Sequence, residues 1–529
     1  MRKAPPGADH DAIVIGGGVN GLVCATLLAQ AKRRVLVVEA RARVGGLCQT
    51  GEIAPGYRVS SLSPLVGPLD SEVMKSLRLL KLGLQFSAKQ IGAVVLSRDG
   101  NHIVLGDDLR HTAQSLMPHS PADAKAWAPF ETALKRAAQQ IQPWMHSGLA
   151  GNPEAVGKGN FFGGRSSGRQ SPVLDGEFAA QMDGSITRFL EGRFSSPLLK
   201  AAIAFDALIG SALSPSMNGT AFLTVLKRAM DGQNTGGIQH PQGGAGGLVT
   251  ALEKAADAAG VKIKLNAAAS HFLFDNGQLA GVQLANGDAV YAPLVVSSLD
   301  AKHTLLKMGA ERDLPLGLKR RLCGYRNQGS VAKVNLALSA LPNIKGLDRK
   351  FLKDRLLICP SLEQLETSFV AFEQGAFSSE LAMEITVPTF HDATLARPGH
   401  HVLSANVAYV PGNLAAGSWE AARGDLLALV GAKLRQYAPE LPDSVVAAEV
   451  LTPADIATLN GGAGSHWHGG DLSLDQIGIF RPAAGISRNV TPIPGLYLCG
   501  AGTHPQGGVT GTNGRIAAEA VLARMVGAS

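Results

Sequence analysis

The chain has 529 residues, 49 Lys and Arg against 42 Asp and Glu, a formal charge of +7, and 63 glycines. With 45% hydrophobic and 17% charged residues it is too apolar for wholesale disorder, and it is too long for one core, which predicts two or three domains. A charge of +7 is thin over this length and no long Lys/Arg tract concentrates it, so no nucleic-acid partner is expected.

In chain order, the N-terminal MRKAPPGADHD lacks the apolar run of an export signal. Ala12–Ile15 is a short apolar run bounded by glycine, as a fully buried parallel strand should be. Asn20 to Ala31 carries Leu22, Val23, Leu27 and Leu28 at helical spacing, and Val35–Val38 is a second buried strand closing a βαβ unit. Residues 146–172, rich in Gly, Ser and Asn, predict a long mobile loop. From Asp175 to Met230 the pattern is mostly helical, broken at Pro197 and Pro215. A glycine cluster at Gly236–Gly247 precedes a predicted helix over Leu248–Ala259.

Short strands follow at Lys262–Leu265, His271–Phe274, Gly281–Leu284 and Leu294–Ser297, with turns at Asn276-Gly277 and Asn286-Gly287. Further strands are predicted over 330–338, 381–387 and Val402–Val410, then a helix from Trp419 to Tyr437. The tail has a strand at Leu496–Cys499, a glycine-dense turn from Gly500 to Gly514 and a helix over Arg515–Met525. No stretch approaches the roughly 18 apolar residues of a membrane-spanning helix. The cysteines Cys24, Cys48, Cys323, Cys359 and Cys499 lie far apart with no C-x-x-C pair. That argues against a disulfide framework, a zinc knuckle or a dithiol centre, and it suits a reducing, cytoplasmic location.

Gly16-x-Gly18-x-x-Gly21 stands between the first strand and the first helix. Such glycines allow a tight turn, backbone approach to a pyrophosphate, and close helix–strand packing, while the helix N-terminus offers N–H groups to phosphate. Glu39, at the end of the second strand, can accept hydrogen bonds from ribose hydroxyls and disfavours a 2′-phosphate. The motif alone does not separate NAD from FAD. Gly45-Gly46 follows Glu39 directly, and the tail turn offers the further contact far along the chain that a flavin needs; a simple NAD dehydrogenase leaves the tail unexplained.

The N-terminal block, Gly45-Gly46, the strand GSVAKVNLALSALP, the segment HWHGGDLSLDQIGIFRP and the tail GAGTHPQGG resemble the phytoene-desaturase-like FAD oxidoreductases, which include carotenoid isomerases and retinol saturases. Within them the chain is most similar to the group called pyridine nucleotide-disulphide oxidoreductase domain-containing protein 2. The resemblance implies an α/β fold: a Rossmann-type, glutathione-reductase-like FAD domain with an inserted α+β substrate domain. Residues near 1–75, 236–306 and 480–529 would make the first, and 76–235 and 307–479 the second. It implies FAD held by Gly16, Gly18, Asn20, Gly21, Glu39, Gly45 and Gly46, an adenine contact from the backbone of Ala269, and Gly502, Gly508 and Val509 near the flavin.

Two residues are candidates for proton chemistry. His468, in His466-Trp467-His468, carries an imidazole of near-neutral pKa, or is a histidine satisfied by backbone. Lys333 interrupts an apolar strand, so it either sits at a sheet edge or faces a cavity, where an ammonium can stabilise a reduced flavin. Arg481-Pro482 is a structural clamp or a carboxylate anchor, and Cys499 a buried apolar residue. No metal site is expected. The basic stretch Leu316–Gln328 is a solvated face or a peripheral membrane contact.

The expected activity is flavin-dependent hydride transfer (desaturation, saturation or isomerisation) on an apolar, polyene or isoprenoid-like small molecule. The alternatives are a flavin amine or amino-acid oxidase, and a non-catalytic flavoprotein acting through protein partners.

Overall fold

The computed structural model describes residues 8–88, 91–146, 180–231, 237–462, 464–487, 489–505 and 507–526. Beyond His146, the loop expected over 146–172 lies outside the described residues, as do the first residues of the helical stretch expected from Asp175.

The strands Ala12–Ile15 and Val35–Val38 are buried at every position, so each needs cover on both faces. They form the centre of a five-stranded parallel sheet whose order runs Leu496–Leu498, Val295–Ser297, Ala12–Ile15, Val35–Val38, Lys262–Lys264. The first helix spans Val19–Gln30, and it packs against the helices Ala245–Ala258 and Thr512–Val526. Gly514 makes one of these contacts possible, since a Cβ there would lie 2.3 Å from the Asn20 carbonyl oxygen. A three-stranded antiparallel sheet of Ala269–Asp275, Gln278–Leu284 and Ala289–Tyr291 follows. Its first turn has Asn276 and Gly277 both at positive φ, 48° and 74°, as the Asn-Gly signal requires.

The helix expected from Leu248 begins three residues earlier, at Ala245, inside the glycine cluster. Gly246 and Gly247 are its first turn, pressed on Thr50 and on the Gln242 carbonyl, where a Cβ would lie 2.9 and 2.0 Å away. They serve close packing, which composition alone reads as a turn. Pro197 likewise opens a helix, Pro197–Leu208, with Ser196 as its N-cap.

A second, seven-stranded sheet runs Val445–Leu451, Val331–Leu338, His401–Ala408, Met383–Thr386, Arg355–Ile358, Ala93–Val95, Ile103–Leu105. The chain therefore passes from the first sheet to the second and back twice. One face of this sheet is apolar: Val334, Leu336, Leu403, Ala405, Met383 and Ile385 pack on Leu426, Val430 and Leu434 of the helix Trp419–Arg435. The other face, toward the helices Pro197–Leu208 and Thr220–Met230, carries Lys333, Asn335, Ser404, Asn406, Glu384 and Arg355.

Among the described residues no helix is long and apolar enough to cross a membrane.

Candidate active site

The first strand runs into a turn at Gly16, φ +90°, where a Cβ would meet Ser298 Oγ at 2.3 Å. Gly21 sits behind it: a Cβ there would lie 2.1 Å from the Gly16 carbonyl oxygen, so the helix packs directly on the turn. Gly18 differs. Its missing Cβ would find nothing nearer than Gly46 Cα at 3.9 Å, which leaves open space above the backbone. Gly18 bridges Gly45 in parallel register and caps the first helix without any side-chain hydrogen bond. The first-turn N–H groups thus face a glycine-walled cradle of the kind a pyrophosphate occupies.

Glu39 is 5% exposed. Its Oε2 accepts from the Gly17 N–H at 2.7 Å and its Oε1 from the Arg41 N–H at 2.9 Å. These bonds hold the carboxylate at the cradle's edge, and each oxygen keeps a lone pair for a ribose hydroxyl.

Gly16, Gly18, Asn20, Glu39, Gly45, Gly46, Ala269, Gly508 and Val509 line one continuous cavity. Gly21 and Gly502 do not line it. Gly502 is held behind the wall by Gly469, whose own Cβ would lie 2.3 Å from the Gly502 nitrogen; its neighbour Ala501 lines the cavity in its place. Ser298, His303, Asn460 and Trp467 also line it; of these only Trp467 lies in a segment, His466-Trp467-His468, that the sequence singles out. Ser298 carried a usable signal, since it follows the strand Val295–Ser297 at the carboxyl end of a parallel sheet, where such folds bind ligands. Asn460 carried none, because it follows a short helix after the second sheet.

Gly508 and Val509 also line a neighbouring cavity, whose wall is mainly apolar side chains that include Leu62, Leu65, Val66, Leu223, Leu226 and Met230. Val509 holds φ +60°. For a β-branched residue that conformation costs on the order of 1–3 kcal/mol, and such strain gathers at functional sites. Trp467 borders both cavities and packs on Gly210, where a Cβ would lie 2.1 Å from the indole Nε1.

His468 lines the apolar cavity. Burial, with the Arg481 charge nearby, pushes its imidazole down to about 3, so it is neutral at physiological pH and a weak proton acceptor. His466 is 2% exposed, and its Nδ1 accepts from the His468 N–H at 3.1 Å, so it supports the loop.

Lys333 is not at an edge. Its strand is paired on both sides and the residue is 1% exposed. Nor does it line either cavity: its Nζ donates to Asn406 Oδ1 at 2.9 Å, and Asn406 lines the apolar one. Lys333 therefore acts one hydrogen bond behind the wall. Burial pulls its ammonium down to about 7, against the opposing effect of Glu384 and Glu449.

Arg481 is 0% exposed and donates to the carbonyls of His468, Gly470, Asp471, Gln476 and Ala501. It clamps the His468 loop to the tail turn and cannot reach a substrate carboxylate. Cys499 is 0% exposed in the apolar core behind the first sheet.

A parallel sheet with this glycine cradle, a buried acid closing the second strand, and a cofactor cavity continuing past the tail turn define an FAD-dependent oxidoreductase. The chain belongs to the flavin containing amine oxidoreductase family, whose model matches residues 20–522. Pyridine nucleotide-disulfide oxidoreductase domain-containing protein 2 of Mus musculus is 30% identical over 97% of this chain and 93% of its own length. A component of the limonene dehydrogenase of Castellaniella defragrans is 26% identical over 97% and 95%. A neurosporene-forming phytoene desaturase of Cereibacter sphaeroides is 26% identical over 99% and 96%. Among solved structures, an oxidoreductase from Methanosarcina mazei shares the fold with a TM-score of 0.63 and 18% identity, covering 97% of this chain and 99% of that one. The resemblance read from the N-terminal and tail motifs holds across the chain.

Proposed function

We propose that this enzyme transfers hydride to or from a C–H or C=C bond of an apolar, isoprenoid-like small molecule. The observation that carries the reading is an apolar cavity that shares the wall residues Trp467, Gly508 and Val509 with the cofactor cavity. Among the described residues Trp467 is the only Trp, Tyr or Phe lining it, so no aromatic pair flanks an amine beside the ring. Two relatives named for limonene and phytoene, both isoprenoid hydrocarbons, support the same class.

When bound, FAD supplies the hydride acceptor or donor; the protein supplies orientation and exclusion of water. The cradle at Gly18 and Gly46 with Glu39 fixes the nucleotide half, and the backbone at Gly508-Val509 fixes the flavin half. Leu223, Leu226 and Met230 hold the substrate's chain by burial, at about 25 cal/mol per Å² of apolar surface. His468, uncharged, contributes a hydrogen bond at the cavity wall, and Lys333 orients Asn406.

Anaerobic absorbance of the purified enzyme tests this. Isoprenoid hydrocarbons should bleach the oxidised flavin or restore the band of the reduced one. Bleaching by amines or amino acids, with no isoprenoid effective in either redox state, would contradict it.

A peripheral contact with anionic membrane surface belongs to the same proposal, within a cytoplasmic setting. The helix Leu316–Cys323 exposes Leu316 at 63% beside Lys319, Arg320 and Arg321. Sedimentation with phosphatidylserine vesicles should be weakened by Arg320→Glu with Arg321→Glu; equal sedimentation of both proteins would remove the contact.

A further inference from the structure

The apolar cavity has one ionic stretch of wall, made by Asp206, Lys227, Asp231, Arg355 and Glu384. Lys227 Nζ donates to both carboxylate oxygens of Asp231 at 2.7 and 2.8 Å and lies 4.0 Å from Asp206 Oδ1. Arg355 donates from one terminal nitrogen to Asp206 Oδ1 at 2.5 Å and to Glu384 Oε2 at 2.9 Å. Asn406 ties Glu384 to Lys333 behind the wall.

Nothing in an all-hydrocarbon substrate uses these groups. A hydrocarbon laid against them would strip their remaining water and return no hydrogen bond. They nevertheless keep capacity for a ligand. Arg355 is 7% exposed, and its Nε has no hydrogen-bond partner among the described residues. The side chains of Asp206, Lys227 and Asp231 remain 28%, 23% and 21% exposed. Asp206, Lys227, Asp231 and Arg355 also line a second cavity, so the ionic stretch stands at a junction between the two.

Lys227 is shared between Asp206 and Asp231, and Arg355 between Asp206 and Glu384, so three carboxylates stand against two cations. A carboxylate arriving here would add to the surplus negative charge and compete for a cation already engaged, and an ammonium would have to shed far more of its own water than a hydroxyl does. A hydroxyl displaces nothing: it donates to a carboxylate oxygen and accepts from a cation.

We infer that the substrate is an apolar molecule ending in an uncharged hydroxyl, and that Asp206, Lys227 and Arg355 hold that end at the junction while the apolar body extends toward the flavin. This rests on the reading of the cavity as an isoprenoid site and adds the residues that select among isoprenoids.

The test is titration of the FAD-loaded enzyme with geraniol, its hydrocarbon parent, geranylamine and geranic acid, followed by perturbation of the flavin band. Geraniol should bind at least about tenfold more tightly than the hydrocarbon, as hydrogen bonds to charged groups imply, and more tightly than the amine or acid. In Asp206→Asn, and separately in Lys227→Gln, the ratio of hydrocarbon to alcohol Kd should fall to within about threefold, with flavin content and Tm recorded for each variant. Equal binding of hydrocarbon and alcohol overturns the inference and leaves the isoprenoid reading standing. An unchanged ratio in both variants overturns the assignment to these residues, and tightest binding by the amine gives the wall to an ammonium instead. Failure of both hydrocarbon and alcohol to bind overturns the isoprenoid reading and the inference with it.

Discussion

Gly18 and Lys333 show two ways in which a single side chain matters. At Gly18 the missing side chain leaves room, since its Cβ would enter the space beside Gly46 that we propose as the phosphate cradle. Gly18→Val should therefore yield protein that folds but loses most of its flavin absorbance, with the apo Tm within a few degrees of the parent's apo form. Retention of full flavin would mean the cradle is not the phosphate site. At Lys333 the ammonium's pKa, about 7 when folded, lies below its unfolded value of 10.5. Between those values the unfolded chain binds the proton that the native state has released, so this residue makes stability rise with pH; below about 7 its penalty is fully present. Lys333→Met should raise Tm at pH 6 relative to the parent, with the difference closing toward pH 10. Parallel Tm curves for the two proteins would show that Lys333 does not titrate in this window. The sequence marked Lys333 as unusual, but one strand's alternation cannot tell whether neighbours stand on both sides. That needs the pairing with His401–Ala408 and Val445–Leu451.

At the scale of elements, the end of the glycine cluster, Ala245 to Gly247, is already helical where its composition reads as turn. Gly247→Val would drive a Cβ to 2.0 Å from the Gln242 carbonyl and add a β-branched residue to the helix start. A loss of several degrees in Tm is expected, since a backbone oxygen cannot move aside as a flexible side chain can. A Tm unchanged from the parent's would show that the cluster has slack. The nucleotide-binding elements were legible because strand, glycine turn, helix and acid lie within 30 residues or so. The ionic wall was not, because Arg355, Glu384 and Asn406 come from three strands separated along the chain. A signal existed all the same: the strands MEIT and HVLSANVA carry polar residues at alternate positions, Glu384 and Thr386 in one and Ser404 and Asn406 in the other. Polar alternation on central strands marks a sheet face that borders something other than core.

For the molecule as a whole, the two sheets divide the labour. The parallel sheet presents its carboxyl ends and its glycine turns to the cofactor. The seven-stranded sheet turns an apolar face to its own helix and a polar face toward the cavity beside Gly508-Val509. Because the chain crosses between the sheets twice, Trp467 and His468 of the segment after the second sheet meet Gly507 and Gly508 of the tail. The central claim is that an isoprenoid C–H or C=C bond exchanges hydride with FAD in that cavity. Its most direct test is anaerobic single-turnover absorbance with an isoprenoid substrate carrying C–H or C–D at the reacting carbon, using oxidised enzyme, and with the polyene alone using reduced enzyme. The account predicts that the flavin band changes in one of the two directions and that deuterium slows the oxidative direction if that is the one observed. A flavin indifferent to isoprenoids in both redox states, yet bleached by primary amines, would contradict it.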